Sequence, residues 1–106
     1  MHARVLNGGV VHTALANIFA RGLTREAAAS VIDTLRTRSA RAVLLDLEHV
    51  DHLTADQINW LVNLVTTVTL LGFKPRLVGV CRSLVGELEA SRFHVESLSI
   101  DQSANR

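Results

Sequence analysis

"RAVLLDLEHVDHLTADQINWLVNLVTTVTLLGFKPRLVGV", residues 41–80, holds two short apolar runs with a long apolar-rich segment between them. The first run, Ala42 to Leu47, has the length of a strand and no polar alternation, the pattern of a strand covered on both faces. A polar crossing follows at residues 50–57, "VDHLTADQ". The chain then reads as one long helix to Leu71, with Gly72 as its C-terminal stop. "PRLVGV", residues 75–80, is a second buried strand. Strand, helix and strand in this order form the crossover unit of a parallel sheet. That unit decides the fold.

The flanking segments extend it. "HARVL", then "NGG", then "VVHTALANI" read as two strands around a tight turn, because Asn-Gly tolerates the positive φ of a hairpin. "LTREAAASVIDTLRTRS" predicts a helix: Thr24 can cap it, Glu26 lies in the first turn, and Ala28, Val31, Ile32 and Leu35 share one face. "SLVGELEAS" predicts a short helix capped by Ser83, and "HVESLSI" a last strand. The predicted order is β-β-α-β-α-β-α-β, an α/β sandwich with a mixed, mostly parallel β-sheet. One domain is expected over residues 1–100, with 101–106 as a frayed tail.

The totals narrow the function. A chain of 106 residues suits one domain, and 11 basic against 10 acidic side chains give a formal charge of +1. That balance argues against a nucleic-acid binder, whose phosphate contacts need clustered cations. Arg21, Arg25, Arg36, Arg38 and Arg41 gather locally, but Glu26 and Asp33 interleave with them as on a solvated helix face. The single Cys81 excludes an internal disulfide and fits a reducing compartment. No run reaches about 18 uninterrupted apolar residues, and no signal-peptide pattern opens the chain. A cytoplasmic location is expected, without direct membrane insertion.

Three chemical readings of the motifs fall short. His49, Asp51 and His52 lie close together in "HVDH", yet no further His or Cys has recognisable ligand spacing, so no metal is assigned. Asp51 and Asp56 resemble an acid/base pair but lack a nucleophile, so no enzyme activity is assigned. "NGGV" lacks the Lys and following helix of a phosphate loop. No cofactor is expected.

Across residues 41–80 the chain resembles the STAS family, the anti-sigma-factor antagonists and their relatives. The resemblance rests on a strand ending in Asp46 and Leu47, on Val50 three residues later, and on a helix closing in Leu71-Gly72. The order of elements matches over essentially the whole chain. In that family an Asp-Ser or Asp-Thr pair opens the helix, and the Ser or Thr is phosphorylated. Here the pair falls on Thr54 and Ala55, and Ala55 has no hydroxyl to accept phosphate. The usual switch is therefore absent, or displaced to Thr54.

Thr54 has a second explanation. With Gln57 it forms T-x-x-Q, a capping box in which each side chain satisfies a backbone amide near the other residue. Both readings of Thr54 stand at this level, as helix cap and as regulated hydroxyl.

On the long helix, Ile58, Leu61, Val62, Val65 and Val68 form the stripe expected to face the sheet. Trp60, Leu64, Thr67 and Leu71 form a second stripe on roughly the opposite side. Either more of the domain covers it or it is a protein interface. The resemblance implies docking, and Trp is enriched at interface hot spots. The docking set is then His52, Thr54, Ala55, Asp56, Gln57, Trp60, Leu64 and Leu71. The resemblance implies a non-enzymatic signalling module, of anti-sigma-antagonist or stressosome type. Its partners would be an anti-sigma factor, a switch kinase or other STAS subunits, with a homo-oligomer possible. The alternative is a cytosolic accessory subunit of a lipid or anion transport system.

Overall fold

The computed structural model describes residues 4–6, 9–90 and 99–102. β1 (Arg4–Leu6) and β2 (Val10–Ala14) form the expected hairpin, antiparallel, with Leu6 opposite Val10. Gly9 supplies the positive φ of +75° in its turn. β2, β3 (Ala42–Asp46), β4 (Lys74–Val80) and β5 (Ser99–Gln102) are parallel, and the five strands lie in sequence order across one sheet. The helices are α1 (Leu15–Arg21), α2 (Arg25–Thr37), α3 (Ala55–Leu70) and α4 (Arg82–Ala90).

The second expected strand, residues 10–18, is shorter than its pattern suggests, and its last four residues open α1. β2 stops at Ala14, and Leu15, Ile18 and Phe19 recur at helical spacing between alanines, so the chain turns helical as soon as it leaves the sheet. At the other end β5 runs to Gln102, two residues into the expected tail. Of the last expected strand, residues 94–98 lie outside the described residues, as does the rest of the tail, 103–106.

The sheet is covered on one face, not two. Val11, Val43, Leu45 and Leu77 are fully buried, while their strand neighbours His12, Leu44 and Val78 are half-buried and Lys74 and Arg76 are exposed. The cause is topological. Strands in sequence order require every right-handed crossover to step the same way, which lays every helix on the same face. The apolar run of β3 is continuous because Ala42 and Leu44 line the face the helices leave uncovered.

On the covered face one cluster joins Val11, Leu15, Val31, Leu45, Leu61 and Leu84, so β2, β3 and all four helices contribute to it. Helix ends follow local rules. Thr24 Oγ1 accepts from Ala27 N at 3.0 Å, the expected cap of α2. α3 ends in a Schellman turn: Gly72, at φ +92°, donates its N–H to Thr69 O and Phe73 donates to Val68 O. Ser83 is not the cap of α4. It is the second helical residue, and Cys81 O takes the first amides, those of Leu84 and Val85.

Candidate functional site

The polar crossing is a braced corner. β3 ends at Asp46, Leu47 N–H bonds to Val78 O at 2.9 Å, and Val50 N–H returns to Leu47 O at 3.0 Å. His49 takes a positive φ of 70° at the apex. Leu47, Val50 and Leu53 point into the core, while His49, Asp51, His52, Thr54, Ala55 and Asp56 are exposed. Burying every third residue or so pins the loop and leaves its polar residues outward.

Three side chains from elsewhere in the fold hold it. Asp46 Oδ1 accepts from Glu48 N at 2.9 Å, and its Oδ2 lies 2.7 Å from His12 Nε2 on β2. Cys81 Sγ lies 3.8 Å from the carbonyl oxygens of both Val50 and Asp51. Glu87 of α4 accepts from Leu53 N at 3.2 Å, with its other oxygen 3.9 Å from His52 Nδ1. Gly79 makes room for the first of these. Its φ is +67°, and a Cβ there would stand 2.7 Å from Asp46 Oδ1. The β4–β5 register slips between Leu77 and Val80 at the same place.

Thr54 caps α3 as the T-x-x-Q pattern predicts. Its Oγ1 accepts from Gln57 N at 3.1 Å, and Gln57 Oε1 accepts from Thr54 N at 2.9 Å. Ala55 is the first residue of the helix and Asp56 the second. Side chains at both positions reach solvent beside the unpaired amides of the first turn.

The helix stripes are rotated from their expected positions. Leu64, assigned to the outer stripe, is 2% exposed and packs in the core with Leu61 and Val68. Val62, assigned to the sheet, is 36% exposed. Trp60 is half-buried: its Nε1 donates to Thr24 O at 3.2 Å, and its ring meets Phe19 edge-on with centroids 6.2 Å apart. Trp60 thus ties α3 to α1 and to the start of α2. Thr67 is exposed, and Leu71 is 40% exposed at the far end of α3 from the corner. Of the eight residues assigned to docking, the structure brings His52, Thr54, Ala55, Asp56 and Gln57 together and sets Leu64 aside in the core.

Sequence reading missed His12, Gly79, Cys81 and Glu87 as corner residues. A glycine inside a strand signals a bulge or a close approach, and Gly79 was legible on that ground. The other three are distant in sequence and carried no local signal. Among the described residues no three His, Cys, Asp or Glu side chains are grouped to hold a metal ion, and no helix is long and apolar enough to cross a membrane.

No family model and no curated relative matches the sequence. Solved structures do match its fold. One comes from the stressosome, a signal integration and transduction hub, with a TM-score of 0.83 at 9% identity over 97% of this chain and 89% of that one. A second, a variant of Moorella thermoacetica RsbS, gives 0.84 at 8% identity, covering 99% of this chain and 90% of the other. A third, the protein TM1081, gives 0.74 at 14% identity over 99% and 83%. The fold is STAS-like, as the spacing of Asp46, Leu47, Val50 and Gly72 implied.

Proposed function

We propose that the chain is a non-enzymatic signalling module, an anti-sigma-factor antagonist or stressosome-type protein that acts by docking. Its docking surface is the exposed corner, His52, Thr54, Ala55, Asp56 and Gln57. The observation that carries this reading is the placement of Ala55. It is exposed at the first position of α3, where the resemblance puts the phospho-acceptor, on a corner braced by His12, Cys81 and Glu87. The likeness in fold to a stressosome component supports it.

A phosphate at position 55 would sit on open helix amides, which tolerate its charge in the free protein. Against a partner that charge would have to be desolvated, and Asp51 and Asp56 would add like charge. Phosphate would oppose docking without disturbing the fold. With Ala55 the chain stays in the docking-competent state.

Pull-down from native lysate followed by incubation with the captured kinase tests this. The expected result is a bound signalling protein and no phosphate at position 55, with any modification of this region on Thr54. Phosphate found on Ser39 or Ser83 alone would place the switch elsewhere.

A further inference from the structure

α2 and α3 face each other across an open groove of about 200 Å³ on the helical layer. Leu64, 2% exposed, closes its floor, and the half-buried Ala28, Ile32 and Trp60 form its apolar walls. Trp60 gives the groove a fixed edge, because Thr24 O holds its Nε1 and Phe19 meets its ring. With that N–H engaged, the indole offers only carbon to the groove.

The polar residues around it are of two kinds. Thr24 Oγ1 accepts from Ala27 N and Thr67 Oγ1 donates to Asn63 O, so both hydroxyls are engaged within their own helices. The side chains of Arg25 on α2 and Asn63 on α3 are exposed and have no hydrogen-bond or ion-pair partner among the described residues. Charge here is one-sided. α3 carries no charged residue from Gln57 to Leu70. The acids of α2, Glu26 and Asp33, line its other flank with Ala29 and Arg36. Among the residues lining the groove Arg25 alone is charged. It is also the first residue of α2, the end where the helix dipole favours an anion.

We propose that this groove binds a small apolar carboxylic acid as a free molecule, with its carboxylate on Arg25 and its hydrocarbon against Ala28, Ile32 and Leu64. The site lies apart from the corner and stands whether or not the corner docks a partner. Three features select the ligand. The apolar walls favour hydrocarbon, which leaves water on binding. The guanidinium at one end calls for an anion, and a carboxylate meets its paired N–H groups through charge-assisted hydrogen bonds. One cation balances one negative charge, which favours a carboxylate over a phosphate. The Asn63 amide supplies a further donor from the opposite wall. The third feature is size. About 200 Å³ lies below the roughly 300–1,000 Å³ of sites for drug-sized molecules, so a short chain or a single ring fits.

The chain has one tryptophan, so the emission of Trp60 reports directly on this groove. Titration of the full chain with octanoate, kept below its micelle concentration, should give a saturable change in that emission. Octanol, without charge, and octylammonium, with the opposite charge, should bind about tenfold or more weakly, the loss of a charge-assisted hydrogen bond. Arg25→Gln should weaken octanoate by the same factor and leave octanol unchanged. Ala28→Leu should fill the groove and remove binding of both, with unchanged circular dichroism. Should that variant fail to fold, Arg25→Gln, at an exposed position, still decides. Amide chemical shifts on adding octanoate should move at Arg25, Ala28, Ile32 and Asn63 and stay fixed at the corner. No saturable change up to the solubility limit overturns the proposal. Octanol bound as tightly as octanoate overturns the acid as ligand, as does octanoate binding that Arg25→Gln leaves intact. Shifts centred away from α2 and α3 overturn the site.

Discussion

Thr54 and Ala55 stand side by side at the mouth of α3 and answer to different demands. The Thr54 hydroxyl is held in a reciprocal capping box, so its local role is satisfied without any modification. Removing it by Thr54→Ala should lower stability by about 1 kcal/mol. Ala55 is exposed and buries nothing. Ala55→Ser should therefore change stability by less than about 1 kcal/mol, since a hydroxyl in a first turn finds local acceptors. Chemical denaturation of both variants checks this. A large loss for Ala55→Ser would mean that position 55 is packed, and the assignment of the phospho-acceptor position would fail with it. This local chemistry was legible because a capping box is written within four residues. The brace beneath it was not, because Cys81 meets the loop only once β4 has paired with β3, and Glu87 only once α4 has folded back.

At the scale of the element, α3 is the lesson of the molecule. Apolar residues occupy so much of its circumference that helical periodicity allows more than one orientation. Periodicity places residues relative to one another and does not say which side meets the sheet. Packing made that choice. Trp60 is drawn to Thr24 O and Phe19, which rotates Leu64 into the core and turns Val62 outward. Leu64→Glu should consequently lose more than about 4 kcal/mol, because an unpaired charge would be buried. Val62→Glu should stay within about 0.5 kcal/mol, as surface substitutions generally do. Thermal melting of the two variants separates them. A large loss for Val62→Glu with a small one for Leu64→Glu would restore the orientation first expected from the sequence.

For the whole molecule the decisive feature is the single helical layer. Leu44 and Leu45 are consecutive and chemically identical, yet they lie on opposite faces of β3. Leu45 is fully buried beneath the helices, and Leu44 is half-buried on the face they leave uncovered. Leu45→Ala should cost about 2–5 kcal/mol through lost burial and a cavity. Leu44→Ala should cost about 1 kcal/mol or less, because no closed cavity forms there. Urea denaturation of the two variants measures the difference directly. Comparable losses would show that the second face is covered after all.

Secondary-structure type along residues 41–80, the caps at Thr24 and Thr54, the Gly72 stop and the hairpin at Gly9 could all be read from the chain. Each depends on contacts within a few residues, and local sequence encodes local contacts. Tertiary structure alone decided that the sheet is covered on one side, that Leu64 is core and Val62 surface, and that Glu87, Cys81 and His12 support a corner more than thirty residues away or across strands. Those outcomes depend on where crossovers place whole elements, and neither periodicity nor propensity carries that information.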